Sequence, residues 1–129
     1  MSNRRTIIPK GFEFYYEQFH FAPAVKVGKT LYCSGQVGWA GPQTKLPTDP
    51  KEQFKLAFEN LGKVLEAAGA SFADVVEITT FHVGMEHLNL FGAVKGDYLK
   101  EPYPAWTAIG VAGLFMPGLL VEIRATARL

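Results

Sequence analysis

An α+β fold with one mixed β-sheet is predicted by three features of the chain: short β-prone runs, two longer segments with helical spacing, and the order in which they alternate. Ala24 to Val27 and Leu31 to Ser34 are joined through Gly28-Lys29, where glycine supplies the positive φ of a tight hairpin turn. After the hairpin, Gly35-Gln36-Val37-Gly38 continues into Ala40 to Pro47, whose glycine and proline content predicts a surface loop.

The clearest helix follows. Asp49 can cap it, Pro50 suits its first position, and Glu52 stands where a capping box needs an acid. Phe54, Ala57, Phe58, Leu61, Val64, Leu65 and Ala68 form one apolar stripe that ends at Gly69. Asp74 to Val83 is β-branched and aromatic, a predicted strand with Val76 and Ile78 on one face and Val75, Glu77, Thr79 and Phe81 on the other. From Glu86 to Leu99 helical spacing returns through Leu88, Phe91, Val94 and Tyr98. Gly92 and Gly96 share a face there, either to let the helix approach the sheet closely or as tolerated helix glycines. Trp106 to Val111 is a further strand, and Val121, Ile123, Ala125 and Ala127 alternate with Glu122, Arg124, Thr126 and Arg128 in the last one. The expected architecture is a single domain, residues 1–129, with two helices covering one sheet face. The other face needs a cover, and self-association would supply it.

The chain's 129 residues can bury one core but not two. With 13 basic and 12 acidic side chains the net charge is +1, so no global field favours nucleic acid or an anionic membrane. Behind the charged start Met1-Ser2-Asn3-Arg4-Arg5 no apolar run approaches the roughly 20 residues that span a bilayer. A single cysteine, Cys33, fits a reducing compartment, and a soluble cytoplasmic protein is expected. Apolar content of 48% with 10 phenylalanines is high for this size, which also points to surface buried between subunits.

Nucleophile and metal patterns are thin. Cys33 lies in a predicted strand as a small hydrophobe, His20, His82 and His87 assemble no triad, and no metal-ligand spacing or cofactor motif is present. Two features stand out. Ser34-Gly35-Gln36 ends a strand, where glycine admits a ligand close to backbone and its neighbours offer hydrogen bonds. Glu122 is an acid within a strand. In a closed cleft its pKa would rise and suit general acid/base work on water; otherwise it is an ordinary polar-face residue beside Arg124 or Arg128.

Taken in order, Leu31-Tyr32-Cys33-Ser34-Gly35-Gln36-Val37, Leu56-Ala57-Phe58-Glu59-Asn60-Leu61, Leu65-Glu66-Ala67-Ala68-Gly69-Ala70-Ser71, Asp74 to Phe81 and Val121-Glu122-Ile123-Arg124-Ala125 resemble the RidA/YjgF family, also called the endoribonuclease L-PSP family. The run from Pro102 to Val111 is similar, more narrowly, to its YjgH-like branch. The resemblance implies a chorismate-mutase-like fold, homotrimers, and ligand clefts between neighbouring subunits. Active members hydrolyse 2-imino acids such as 2-aminoacrylate, releasing a 2-oxo acid and ammonia. By the same resemblance Glu122 matches the acid that positions water, and Ser34, Gly35 and Gln36 match the cleft-lining strand. Three positions depart from the active members: Trp106 for arginine, Lys95 for asparagine and Phe21 for tyrosine. An arginine fork holds a carboxylate with two parallel charge-assisted hydrogen bonds, which tryptophan cannot do. Lys95 could restore a cation only as a point charge. Three functions are therefore carried forward: hydrolysis of an imine, enamine or related metabolite, a non-catalytic metabolite-binding or sensing module, and the 2-iminobutanoate/2-iminopropanoate deamination of the active relatives. Endoribonuclease activity has no support in the near-neutral charge.

Overall fold

The computed structural model describes residues 3–129, so Met1 and Ser2 of the charged N-terminal stretch lie outside it. The elements run β1 (Arg4–Ile7), α1 (Glu13–Glu17), β2 (Ala24–Val27), β3 (Thr30–Val37), α2 (Pro50–Ala67), a 3-10 turn at Phe72–Asp74, β4 (Val75–Val83), α3 (Leu88–Tyr98), β5 (Ala105–Val111) and β6 (Val121–Arg128). The six strands form one sheet in the order β1-β2-β3-β6-β4-β5, antiparallel throughout except for the parallel β4-β5 edge. One mixed sheet with α2 and α3 packed together on one face is the predicted α+β arrangement; β1 and the third helix, α1, are additional to it.

The best-signalled element forms for the expected reasons. The Glu52 amide donates to Asp49 Oδ2 at 3.1 Å, which satisfies one free donor of the first turn of α2. At the other end Gly69 takes φ +78°, and the Ala70 and Gly69 amides donate back to the Leu65 and Glu66 carbonyls, closing the helix in a Schellman motif. Phe54, Phe58, Leu61 and Leu65 of α2 and Phe91 and Val94 of α3 then bury against Leu31, Ile78, Val121, Ile123 and Ala125 of the sheet. Gly28 at φ +59° makes the β2-β3 turn, as predicted.

Two irregularities set the faces that matter. A register shift between Val75 and Glu77 makes Val76 an extra residue, so Val75 and Ile78 point to the core and Val76 is exposed, reversing the expected assignment of Val75 and Val76. A second shift, between Cys33 and Gln36 of β3, lies opposite Ala125 to Ile123. Gly92 and Gly96 do not serve close packing within the protomer, because a methyl group at either would meet open space. Gly38 does: a Cβ there would overlap the Gln53 carbonyl oxygen, so the first turn of α2 comes down directly on the chain leaving β3. From that position the buried Gln53 side chain donates to the Pro47 and Gly118 carbonyls, both at 3.0 Å, and accepts from the Leu120 amide at 2.6 Å. Two turns on, Asn60 donates to the Val37 and Trp39 carbonyls, both at 2.9 Å. These two amides satisfy backbone groups at the end of β3 and in the loops that lead into α2 and β6, and so fix the chain around Glu122.

Candidate functional site

On the sheet face away from α2 and α3, a cleft of about 510 Å³ opens between Tyr15, Phe19, Phe21, Ser34, Gly35, Val37, Phe115 and Glu122. Glu122 reaches it because β6 alternates: Val121 and Ile123 point into the core, and Glu122 to the other side. Its carboxylate lies over Gly35, where any Cβ would overlap it, so the β3 irregularity and the missing side chain at Gly35 together make room for the acid. Burial in these surroundings raises the Glu122 pKa above its ordinary 4.5.

Phe21 is held in the wall by its neighbours. The Ser34 hydroxyl donates to the Ala22 carbonyl at 2.6 Å, the Ser34 amide to the Pro23 carbonyl at 2.9 Å, and the Phe21 amide to the Tyr15 carbonyl at 3.2 Å. The Phe21 and Tyr15 rings stand 5.2 Å apart. His20 adopts φ +62° between Phe19 and Phe21, both of which line the cleft. Of the residues singled out in the sequence, Phe21, Ser34, Gly35 and Glu122 thus meet in one place. Gln36 does not join them: it is 2% exposed, and its amide donates to the Ser34 carbonyl at 3.4 Å. Tyr15, Phe19 and Phe115 escaped the sequence reading, although the aromatic density from Phe12 to Phe21 was a usable signal.

Trp106 and Lys95 form a separate constellation. Trp106, on the edge strand β5, pairs with Ile78 of β4 and turns toward the helices, its ring 6.0 Å from Phe91. The indole Nε1 donates to Thr80 Oγ1 at 2.9 Å, and Thr80 Oγ1 lies 2.7 Å from His82 Nε2. The indole nitrogen can only donate, so the threonine oxygen accepts from it and has its own proton free for His82 Nε2. Burial lowers the His82 pKa below its ordinary 6.5, in keeping with a neutral ring that accepts this bond. The Lys95 ammonium sits over the Trp106 ring, 4.7 Å from its centroid, a cation–π contact worth about 0.5–1 kcal/mol at a site this open. The one donor of the indole is therefore turned inward, and what Trp106 offers a ligand is a ring and an ammonium. Glu122 pairs with Phe81 of β4, on the opposite face of the sheet and two strand spacings (about 10 Å) from β5. Within one protomer the structure does not bring Trp106 and Lys95 to the Glu122 cleft.

An α+β protein with an acid in an aromatic cleft and an uncovered sheet face is the class these features define. The sequence profile of the family described as Endoribonuclease L-PSP matches residues 16–129, and this chain belongs to that family, the RidA/YjgF proteins. It is 36% identical to the RutC family protein YjgH of Escherichia coli K12, over all of this chain and 98% of that protein. It is 34% identical to the 2-iminobutanoate/2-iminopropanoate deaminase of Homo sapiens, over 83% of this chain and 78% of that enzyme. A solved structure of the protein YJGH superposes with a TM-score of 0.88 at 35% identity, covering 98% of this chain and 97% of the other.

Proposed function

We propose that this protein hydrolyses an imine or enamine other than the 2-imino acids of the deaminase relatives, in a Glu122 cleft completed by a second copy of the chain. One observation carries the reading: a half-buried carboxyl with a raised pKa, lying over Gly35 in an aromatic cleft. Hydrolysis needs a group that takes a proton from water and returns it to nitrogen, and such a carboxyl is suited to both halves. The water oxygen bonds to the imine carbon while a proton passes to Glu122 and on to the nitrogen. The resulting adduct loses its remaining hydroxyl proton along the same route, the carbonyl forms, the C–N bond breaks, and ammonia or an amine leaves. Glu122 ends as it began.

Assembly accounts for the second constellation. Tyr32, Val76 and Ile109 are exposed on the sheet, and the β5 edge is largely open, an apolar surface that a homotrimer would cover. A neighbouring copy is also what could carry Lys95 and Trp106 to a Glu122 cleft, since their own protomer holds them on the other sheet face. The binding-module reading is favoured by the same replacement of the arginine fork: ring and ammonium can hold a ligand without orienting a carboxylate for attack.

The test generates 2-aminoacrylate or 2-iminobutanoate in situ with a serine or threonine dehydratase and follows its decay with wild type and with Trp106→Arg. The expected result is no acceleration by wild type. Robust wild-type acceleration would contradict the reading and restore 2-imino acid deamination.

A further inference from the structure

The chemistry of the cleft wall narrows the ligand class, an inference that rests on the Glu122 cleft being the binding site. Four of its lining side chains, Tyr15, Phe19, Phe21 and Phe115, are aromatic, and Glu122 is the sole carboxyl among them; no lysine or arginine of the same copy joins this part of the wall. Burial pushes the Tyr15 hydroxyl up to about 12, so it stays neutral at physiological pH. The Ser34 proton is already given to the Ala22 carbonyl at 2.6 Å. Arg124, two residues along the same face of β6, is exposed and is not part of the wall. Aromatic faces present negative charge to a ligand, and a carboxylate adds more, so the wall as a whole is complementary to a cation and adverse to an anion. The apolar lining suits an apolar body.

We infer that the Glu122 cleft recognises a basic nitrogen, as an ammonium or iminium, attached to an apolar body of aromatic-ring size that carries no carboxylate. The nitrogen meets Glu122, and the body lies among Phe19, Phe21 and Phe115. A Lys95 brought in by a neighbouring copy arrives with its ammonium over the Trp106 ring at 4.7 Å and keeps its charge, so it opposes the Glu122 carboxylate as one cation against one anion and leaves the aromatic faces to set the preference.

The probes are benzylamine, benzoate and phenylalanine, which share a benzyl or phenyl body and differ in charge: cation, anion and zwitterion. Each is titrated into the full chain at neutral pH by calorimetry, with the aromatic proton signals of the cleft followed in parallel. Benzylamine is expected to bind at least tenfold more tightly than either of the others, and Glu122→Gln to weaken it at least tenfold. The ranking is read on wild type and does not depend on the variant folding. Benzoate or phenylalanine binding as tightly as benzylamine would overturn the ligand class while leaving the cleft as a binding site. A loss of that carboxylate binding in Lys95→Ala would identify lysine as the anchor. If none of the three perturbs the cleft signals, both the ligand class and the cleft assignment fail.

Discussion

Replacing Thr80 by valine removes one oxygen and keeps the shape of a fully buried side chain, which isolates the hydrogen bonds from the packing. Two donor–acceptor contacts meet at that oxygen, from Trp106 Nε1 at 2.9 Å and to His82 Nε2 at 2.7 Å. His82 is 2% exposed, so its ring nitrogen loses its partner with little access to water, at about 1–3 kcal/mol. Trp106 is 39% exposed and its indole can turn to solvent, which adds less, about 0.5–1 kcal/mol. The added methyl group returns up to about 0.8 kcal/mol through burial. The net expectation is a loss of about 2 kcal/mol, read as a fall in Tm of roughly 6–10 °C for a domain of this size. Thr80→Ser keeps the oxygen and loses one methyl group, so it should fall by about 1 kcal/mol. Thermal unfolding at fixed protein concentration gives the order wild type, serine, valine, and the Trp106 indole N–H should exchange faster with water only in the valine variant. A valine variant as stable as the serine one, with unchanged indole exchange, would refute the relay from Trp106 through Thr80 to His82.

Glu122→Gln tests the electrostatics of the cleft. The folded-state pKa of Glu122 is raised, so the acid favours the fold below its unfolded value near 4.5 and loses that advantage as pH rises through the folded value. Urea unfolding should therefore show the glutamine variant more stable than wild type at pH 7, with the difference shrinking as pH falls toward 4; a less stable variant at pH 7 would contradict the desolvation. Gly35→Ala should push the Glu122 carboxylate off β3, because the new methyl group overlaps it. Benzylamine binding should fall at least tenfold while Tm moves by only a few degrees, since a flexible side chain is what yields; unchanged binding would show that the acid does not need that position.

Local signals carried most of the scaffold. The Asp49 cap, the Phe54 to Ala68 stripe and the Gly69 stop all lie in continuous sequence and act within a few residues of one another. The alternation from Val121 to Arg128 put Glu122 on the correct face for the same reason. The misses are short or non-local. β1 is four residues long with three exposed, and α1 is five residues long with no side-chain cap, so neither carries a periodic pattern. The extra residue at Val76 is decided by pairing with β6, which sequence does not display, and it exchanged the faces of Val75 and Val76. At the site, Trp106 stood out because the family resemblance set arginine beside it. Its real partners were accessible in principle: Thr80 and His82 are two apart on a strand and share a face. What no pattern contained was the pairing of β4 with β5, which delivers the indole to that face.

If Glu122 works on carboxylate-free imines, the acid substrates of the deaminase relatives should not be turned over. The most direct measurement sets the benzylidene imine of methylamine beside in situ 2-iminobutanoate and follows the decay of both with wild type and Glu122→Gln at neutral pH. Wild type should accelerate decay of the neutral imine alone, and Glu122→Gln should lose roughly a hundredfold or more of that acceleration. Robust acceleration of 2-iminobutanoate by wild type, with or without acceleration of the neutral imine, or equal activity of the glutamine variant on the neutral imine, would overturn this reading of the cleft.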